Sequence, residues 1–226
     1  MAMAVNSVAD VIGAFEAIDR DLAEDDGLRW FNWLYLTVTK AVDLSIGTET
    51  WQNPKWLARL DVEFAKLYLD AIASPDGPRC WRVLIDSRHD ARLARIQFAL
   101  AGMNAHIDHD LPIAVAATCR SFGIAPVHGS AEYQDYCGVN HLLDGIIDAA
   151  KSALLVGLLG NPLPCINRVE DLVAMWGLRA TREAAWANSE LLSHAWQIPG
   201  LADRFLAGLD NATALAGRGL LAPVGV

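Results

Sequence analysis

Two histidines and an aspartate, His106, His109 and Asp110, stand at i, i+3 and i+4 in the segment Gly102-Met103-Asn104-Ala105-His106-Ile107-Asp108-His109-Asp110-Leu111-Pro112. On a helix this spacing sends all three side chains to one face. Two imidazoles beside a carboxylate can exchange protons with a substrate, because the carboxylate moves the histidine pKa across neutrality. The same trio can hold a cation, since imidazole nitrogen and carboxylate oxygen suit Zn²⁺ or Fe²⁺. A third use is structural: a buried polar network that fixes helix packing and meets no substrate. Asn104 and Asp108 form a second i, i+4 pair elsewhere on the circumference. Pro112 cannot donate to the carbonyl of Asp108, and it disfavours the α region at Leu111. The helix is therefore expected to kink or restart there, freeing carbonyls beside the ionisable side chains.

A trio on one helix needs partners from others. Asp61 shares spacing i, i+3, i+7 with Phe64 and Tyr68 on an otherwise apolar face, so it is expected to point inward. A buried carboxylate left unpaired costs several kcal/mol, and His106 or His109 is its expected partner. Tyr35 and Tyr68 are candidate hydrogen-bond donors to a substrate oxyanion, or core residues with one satisfied hydroxyl. Trp30 belongs to an aromatic stretch that would supply an apolar wall. His128 reads as a loop residue, His89 and His194 as surface positions, and His141 as an ordinary histidine.

The elements that must position these residues all read as helices. Ser7 with Asp10 signals a helix start, followed by Val8, Val11, Ile12, Phe15 and Ile18 at helical spacing. Leu28 to Ile46 is dense in Trp, Leu and Val and ends at Gly47. Asn53-Pro54 pairs a capping residue with a proline suited to the first helical position. Trp81 to about Ser121 reads as one long helical stretch with a single defect at Pro112. Tyr133 to Gly160 reads as a second long helix, and Asn161-Pro162-Leu163-Pro164 as a rigid loop. One or two helices are expected between Val169 and Trp196, and Pro199 opens a last one. No period-2 alternation marks a strand. The expectation is an all-α, single-domain bundle of about seven or eight helices over residues 1–226.

Composition narrows the function classes. Of 226 residues, 53% are hydrophobic, which is enough for a substantial core, and eight Trp can line an apolar pocket. The net charge of −9 and scattered basic residues argue against nucleic acid as a partner. Arg88, Arg92 and Arg95 fall at i, i+4, i+7 and read as a solvated helix face. The longest apolar stretch, Ala153 to Leu159, is too short to cross a membrane. Met1 to Val8 lacks the marks of a secretory signal, so a cytoplasmic location is expected. Cys80, Cys119, Cys137 and Cys165 form no C-x-x-C pair and read as reduced, mostly buried thiols. The chain lacks G-x-G-x-x-G, G-x-x-x-x-G-K and G-x-S-x-G, which disfavours the common nucleotide enzymes and serine hydrolases.

The central segment, read as G-M-N-A-H-I-x-H-D-L-P, resembles the hallmark of the largely actinobacterial domain-of-unknown-function family 5995. Trp30 to Thr39 is similar to that family's early aromatic helix, Leu60-Asp61 through Phe64 to Tyr68-Leu69 to its second signature, and Asp135-Tyr136 with Val139-Asn140 to its downstream helix. The resemblance implies an α-helical fold and, in several settings, a place near specialised-metabolite genes; it implies no known reaction. In such sequences the Asp108 position is often Asn, so Asp108 is not taken as essential. Asn140 heads an i, i+4, i+8 stripe with Asp144 and Asp148 that reads as solvated, and the resemblance makes Asn140 its inward member. A fainter similarity, carried by His106, Asp110 and Pro112, is to the zinc phospholipase C and P1 nuclease superfamily. That superfamily implies further metal-binding residues and a processed N-terminal Trp that this chain lacks.

The expected function is acid/base cyclisation or isomerisation of a small, largely apolar molecule of specialised metabolism. His106, His109, Asp110 and Asp61 would carry the chemistry, with Asn104, Asn140, Tyr35, Tyr68 and Trp30 binding substrate and no cofactor. The alternatives are a metal-dependent hydrolase using Zn or Fe on His106, His109, Asp110 and Asp61, and a non-catalytic binding or scaffold protein. The expected partner is a small molecule, without nucleic acid or membrane; a homodimer is left open.

Overall fold

A capping box starts the first helix: the Ser7 hydroxyl accepts from the Asp10 amide at 3.2 Å, and the Asp10 carboxylate accepts from the Ser7 amide at 3.0 Å. The computed structural model describes residues 5–48, 50–161 and 177–223. Its elements are α1 (Val8–Asp21), α2 (Leu28–Thr48), α3 (Pro54–Ala73), α4 (Arg79–Ser87), α5 (Arg95–Asn104), a π-helical segment (Ala105–Asp110), α6 (Leu111–Ser121), α7 (Ala131–Leu154), α8 (Leu178–Ala195) and α9 (Leu201–Leu220). The fold is all-α: among the described residues the only β feature is an isolated bridge between Ala94 and Gly157. Asn53 caps α3 by accepting from the Trp56 amide at 3.1 Å, with Pro54 in the first turn.

The rod formed by α5, the π segment and α6 is the axis of the molecule. Residues 96–107 are buried without interruption, so this part of the rod has no solvated face. Around it pack α2, α3, α8 and α9, while α1 covers α2 and α4 packs on α9. The buried apolar residues form one connected cluster that includes Phe15, Phe31, Trp56, Tyr68, Trp81 and Trp186.

Three features differ from the expectation. First, the stretch from Trp81 to Ser121 is two helical bodies, because α4 ends at Ser87. The connection is fixed from outside: buried Asp26 accepts from Arg88 Nε at 2.8 and 2.9 Å, and the Gly27 amide donates to the Arg88 carbonyl at 2.6 Å. Arg88, Arg92 and Arg95 therefore share no helix face; Arg92 pairs with Asp90, and Arg95 lies over the Trp30 ring at 4.0 Å. Second, Pro112 does not break the rod. Leu111 stays in the α region (φ −62°, ψ −42°), and its amide donates to the carbonyl of His106, five residues back. The chain absorbs the proline by widening one turn into a π-helix. Third, α7 ends at Leu154 rather than Gly160. The expected loop from Pro162 to Pro164, Cys165, and the start of the next expected helix lie outside the described residues.

Close contact between α2 and α5 depends on a missing side chain. A Cβ at Gly102 would meet the Phe31 ring at 2.3 Å, whereas one at the exposed Gly145 would meet nothing within 4 Å. Gly102→Ala is expected to lower stability by about 1–3 kcal/mol through overpacking. Gly145→Ala should leave it unchanged or raise it by up to about 1 kcal/mol. Urea denaturation of both variants checks this, and equal effects would contradict the packing described.

Candidate functional site

The π segment delivers one carboxylate to two imidazoles. Asp110 Oδ2 lies 3.1 Å from His106 Nδ1, and Oδ1 lies 2.7 Å from His109 Nδ1. Trp81, from α4, donates its indole N–H to Oδ2 at 2.9 Å. All of these side chains are buried. Burial raises the pKa of Asp110, but the hydrogen bonds and charges of His106 and His109 outweigh it and hold the carboxyl below its ordinary value. Burial lowers the pKa of His106, only partly opposed by Asp110, so this imidazole is neutral at neutral pH. An ionised carboxylate only accepts hydrogen bonds. The hydrogen-bond network thus places a ring proton on Nδ1 of each histidine, leaving Nε2 of the neutral His106 as a bare acceptor.

His106 presents its ring to a cavity of about 90 Å³ between α2, α3, the π segment, α7 and α8. The walls are mainly apolar, and Phe64 stacks on the imidazole with centroids 3.4 Å apart and planes at 6°. Five side chains with polar groups break the apolar lining: Tyr35, Asp61, His106, Tyr136 and Arg182. Among the described residues, His106 Nε2, the Tyr35 hydroxyl and Asp61 Oδ2 are buried without a hydrogen-bond partner. Each such atom costs about 1–3 kcal/mol. Burial, reinforced by the charge of Asp43, pushes the Asp61 carboxyl up to about 7. Burial also raises the Tyr35 phenol well above its usual value, so it remains protonated.

The sequence profile described as Family of unknown function (DUF5995) matches residues 8–223. The chain belongs to the DUF5995 family. No curated protein and no solved structure matches it.

Of the residues singled out in this DUF5995 sequence, His106, Asp61 and Tyr35 meet in the cavity. The others lie elsewhere. His109 and Asp110 do not line it; His109 sits beyond the shared carboxylate, so the two imidazoles do not face one space. Asp61 does not bond to either histidine, contrary to expectation. Asn104 donates to the Thr213 carbonyl at 2.9 Å and ties the rod to α9. Tyr68 donates to Asn32 at 3.3 Å, and Asn32 donates to the Phe15 carbonyl at 3.0 Å, which spends both groups on packing α1, α2 and α3. Trp30 lies under Arg95, away from the cavity. Asn140 stands one step behind the cavity wall, accepting from Arg182 Nε at 2.7 Å.

Asp61, His106, His109 and Asp110 do not converge as a ligand set. Among the described residues, the group whose potential donor atoms do converge is Cys80, His109 and Asp210. Sequence reasoning passed over Arg182. Its signal was spacing: it precedes Ala185, Trp186 and Ser189 by three, four and seven residues, and all three are buried. Its guanidinium is held by Asn140, the Tyr136 carbonyl at 2.8 Å and the Tyr136 ring at 4.1 Å, with no carboxylate partner among the described residues.

The Asp61 carboxyl makes stability depend on pH in an unusual direction. Its pKa is about 7 in the fold against a reference value of 3.8, so the folded chain binds the extra proton. That contribution is complete below about pH 4 and is lost as pH rises through about 7. The rise corresponds to about 4 kcal/mol. Asp61→Asn should gain stability relative to the parent between about pH 4 and 8, measured by denaturant titration at each pH. A pH-independent difference would contradict this placement of Asp61.

Proposed function

We propose that this protein is an enzyme that moves protons on a small, largely apolar substrate, in an isomerisation or cyclisation of specialised metabolism. The supporting observation is a neutral imidazole, oriented by an ionised aspartate, whose buried Nε2 lacks a partner in the same apolar cavity as a carboxyl that titrates at about 7. A cavity of about 90 Å³ takes the reacting end of a small molecule and excludes a polymer.

In an isomerisation, His106 Nε2 takes a proton from a carbon beside a carbonyl. Asp61 gives its proton to the carbonyl oxygen, and Tyr35 adds a hydrogen bond there. The resulting imidazolium is stabilised by Asp110 through Nδ1. The enol then returns its oxygen proton to Asp61 while His106 delivers its proton to a different carbon. Arg182, a buried cation on the cavity wall, suits a carbonyl or carboxylate elsewhere on the substrate. No cofactor is needed, because the electron count of the substrate does not change. The apolar shell strengthens each of these charges by excluding water. No helix among the described residues is long and apolar enough to cross a membrane, which is compatible with the cytoplasmic setting we propose.

The competing reading is a scaffold in which the Asp110 network only fixes helix packing. The two separate in deuterated water. The wild-type protein is incubated with a panel of small apolar ketones and enones, and solvent deuterium entering carbon positions is followed by mass spectrometry. Exchange is expected, with a loss of at least about 100-fold in His106→Gln and in Asp61→Asn. Compounds that bind without exchanging, or exchange that survives in His106→Gln, would sink the enzymatic assignment.

A further inference from the structure

Outside the lining of the cavity, three helical elements bring together a thiol, an imidazole and a carboxylate. One potential donor atom from each of Cys80 (α4), His109 (π segment) and Asp210 (α9) lies within 4.8 Å of the other two. Cys80 and His109 are buried, at 1% and 7% exposure, and Asp210 is half-buried. Asp210 is already fixed, accepting from the backbone amides of Arg79 at 3.1 Å and Cys80 at 2.9 Å. A carboxylate oxygen of Asp210 lies within 4.8 Å of the Cys80 thiol. His109 commits Nδ1 to Asp110, and Nε2 has no partner among the described residues.

We propose that Cys80, His109 and Asp210 bind one divalent transition-metal ion, Zn²⁺ by preference, with Asp110 as the carboxylate that orients the histidine ligand. Thiolate, imidazole and carboxylate together match the borderline-soft character of Zn²⁺. A carboxylate on the far nitrogen of a metal-bound histidine is the usual way in which ring and tautomer are fixed. The dimensions fit: tetrahedral bonds of about 2.0–2.3 Å place donors about 3.3–3.8 Å apart, so side-chain adjustments of about 1 Å close the site. Three protein ligands leave a fourth position for water.

Burial favours an ion over the other use of a thiol beside a histidine, nucleophilic catalysis. A nucleophile must meet its substrate, and Cys80 does not line the cavity that His106 faces. Binding replaces the thiol proton, which leaves to solvent. The ion would link positions 80, 109 and 210, joining α4 and α9 to the central rod. The site is separate from the proton-transfer cavity and does not depend on the function proposed for it.

The test uses the full chain, stripped with chelator under reducing conditions and then titrated with Zn²⁺ or Co²⁺. Expected are one ion per chain, a thiolate-to-cobalt charge-transfer band and a higher melting temperature with Zn²⁺. Cys80→Ser, nearly isosteric, should abolish the band. Asp210→Asn, which still accepts from the α4 amides, should weaken binding at least about 10-fold, and Asp110→Asn by about 10–100-fold. His106→Gln, on the cavity side, should bind as the wild type does. Absence of stoichiometric binding at micromolar metal would overturn the proposal. So would binding with an intact charge-transfer band in Cys80→Ser, which would place the ion on Cys119, Cys137 or Cys165.

Discussion

A buried carboxylate in a helical core is stable only if both oxygens, having lost water, find donors. Asp110 meets this condition with three ring N–H groups, from His106, His109 and Trp81. Much else follows from that requirement. It places a proton on Nδ1 of both histidines, fixes α4 against the rod through Trp81, and turns two chemically identical side chains toward different surroundings. One histidine looks into an apolar cavity. The other stands beside a cysteine and an aspartate.

The aromatic shell completes what the carboxylate begins. Phe31, Tyr35, Phe64, Tyr68 and Trp81 surround His106 with ring centroids 3.4–6.3 Å from its own. In such surroundings charge is expensive, which keeps His106 neutral and lifts the Asp61 carboxyl to about 7, so that it holds a proton for about half the time at neutral pH. The same rings supply much of the core, so packing and the state of the site rest on shared atoms. Gly102 shows how tight this arrangement is, since Phe31 occupies the space where its Cβ would stand.

Much of this was legible in the sequence where the signal was local. Ser7 with Asp10, and Asn53 with Pro54, start helices at the expected places because capping is decided within four residues. Asp61 points inward, as its apolar neighbours at helical spacing indicated. The break after Ser87 was hidden, because it depends on Asp26, whose distance in sequence no periodicity records. Asn104 and Tyr68 were legible as buried polar groups, but not as groups already spent on Thr213 and Asn32. Arg182 and Asp210 were missed for the same reason: a charged residue on a helix earns attention only when its distant neighbours are known. His109 meets His106 at Asp110 but does not share its cavity, since a 3.6-residue wheel does not describe the π-helical residues between them.

The π turn acts as a phase slip in the central rod. One residue more than an α-turn holds is accommodated between α5 and α6, so the faces of the two helices are rotated by about 100° relative to an unbroken helix. Residues before Ala105 and after Asp110 that a continuous register would align therefore address different neighbours. The slip lets a single uninterrupted helix serve α2 along its first half and α3 and α8 along its second. Its location at the histidines means that removing one residue there would re-index every contact downstream, while the same deletion in a solvent-facing helix would be local. The segment thus sets the alignment between the two halves of the molecule as well as carrying its chemistry.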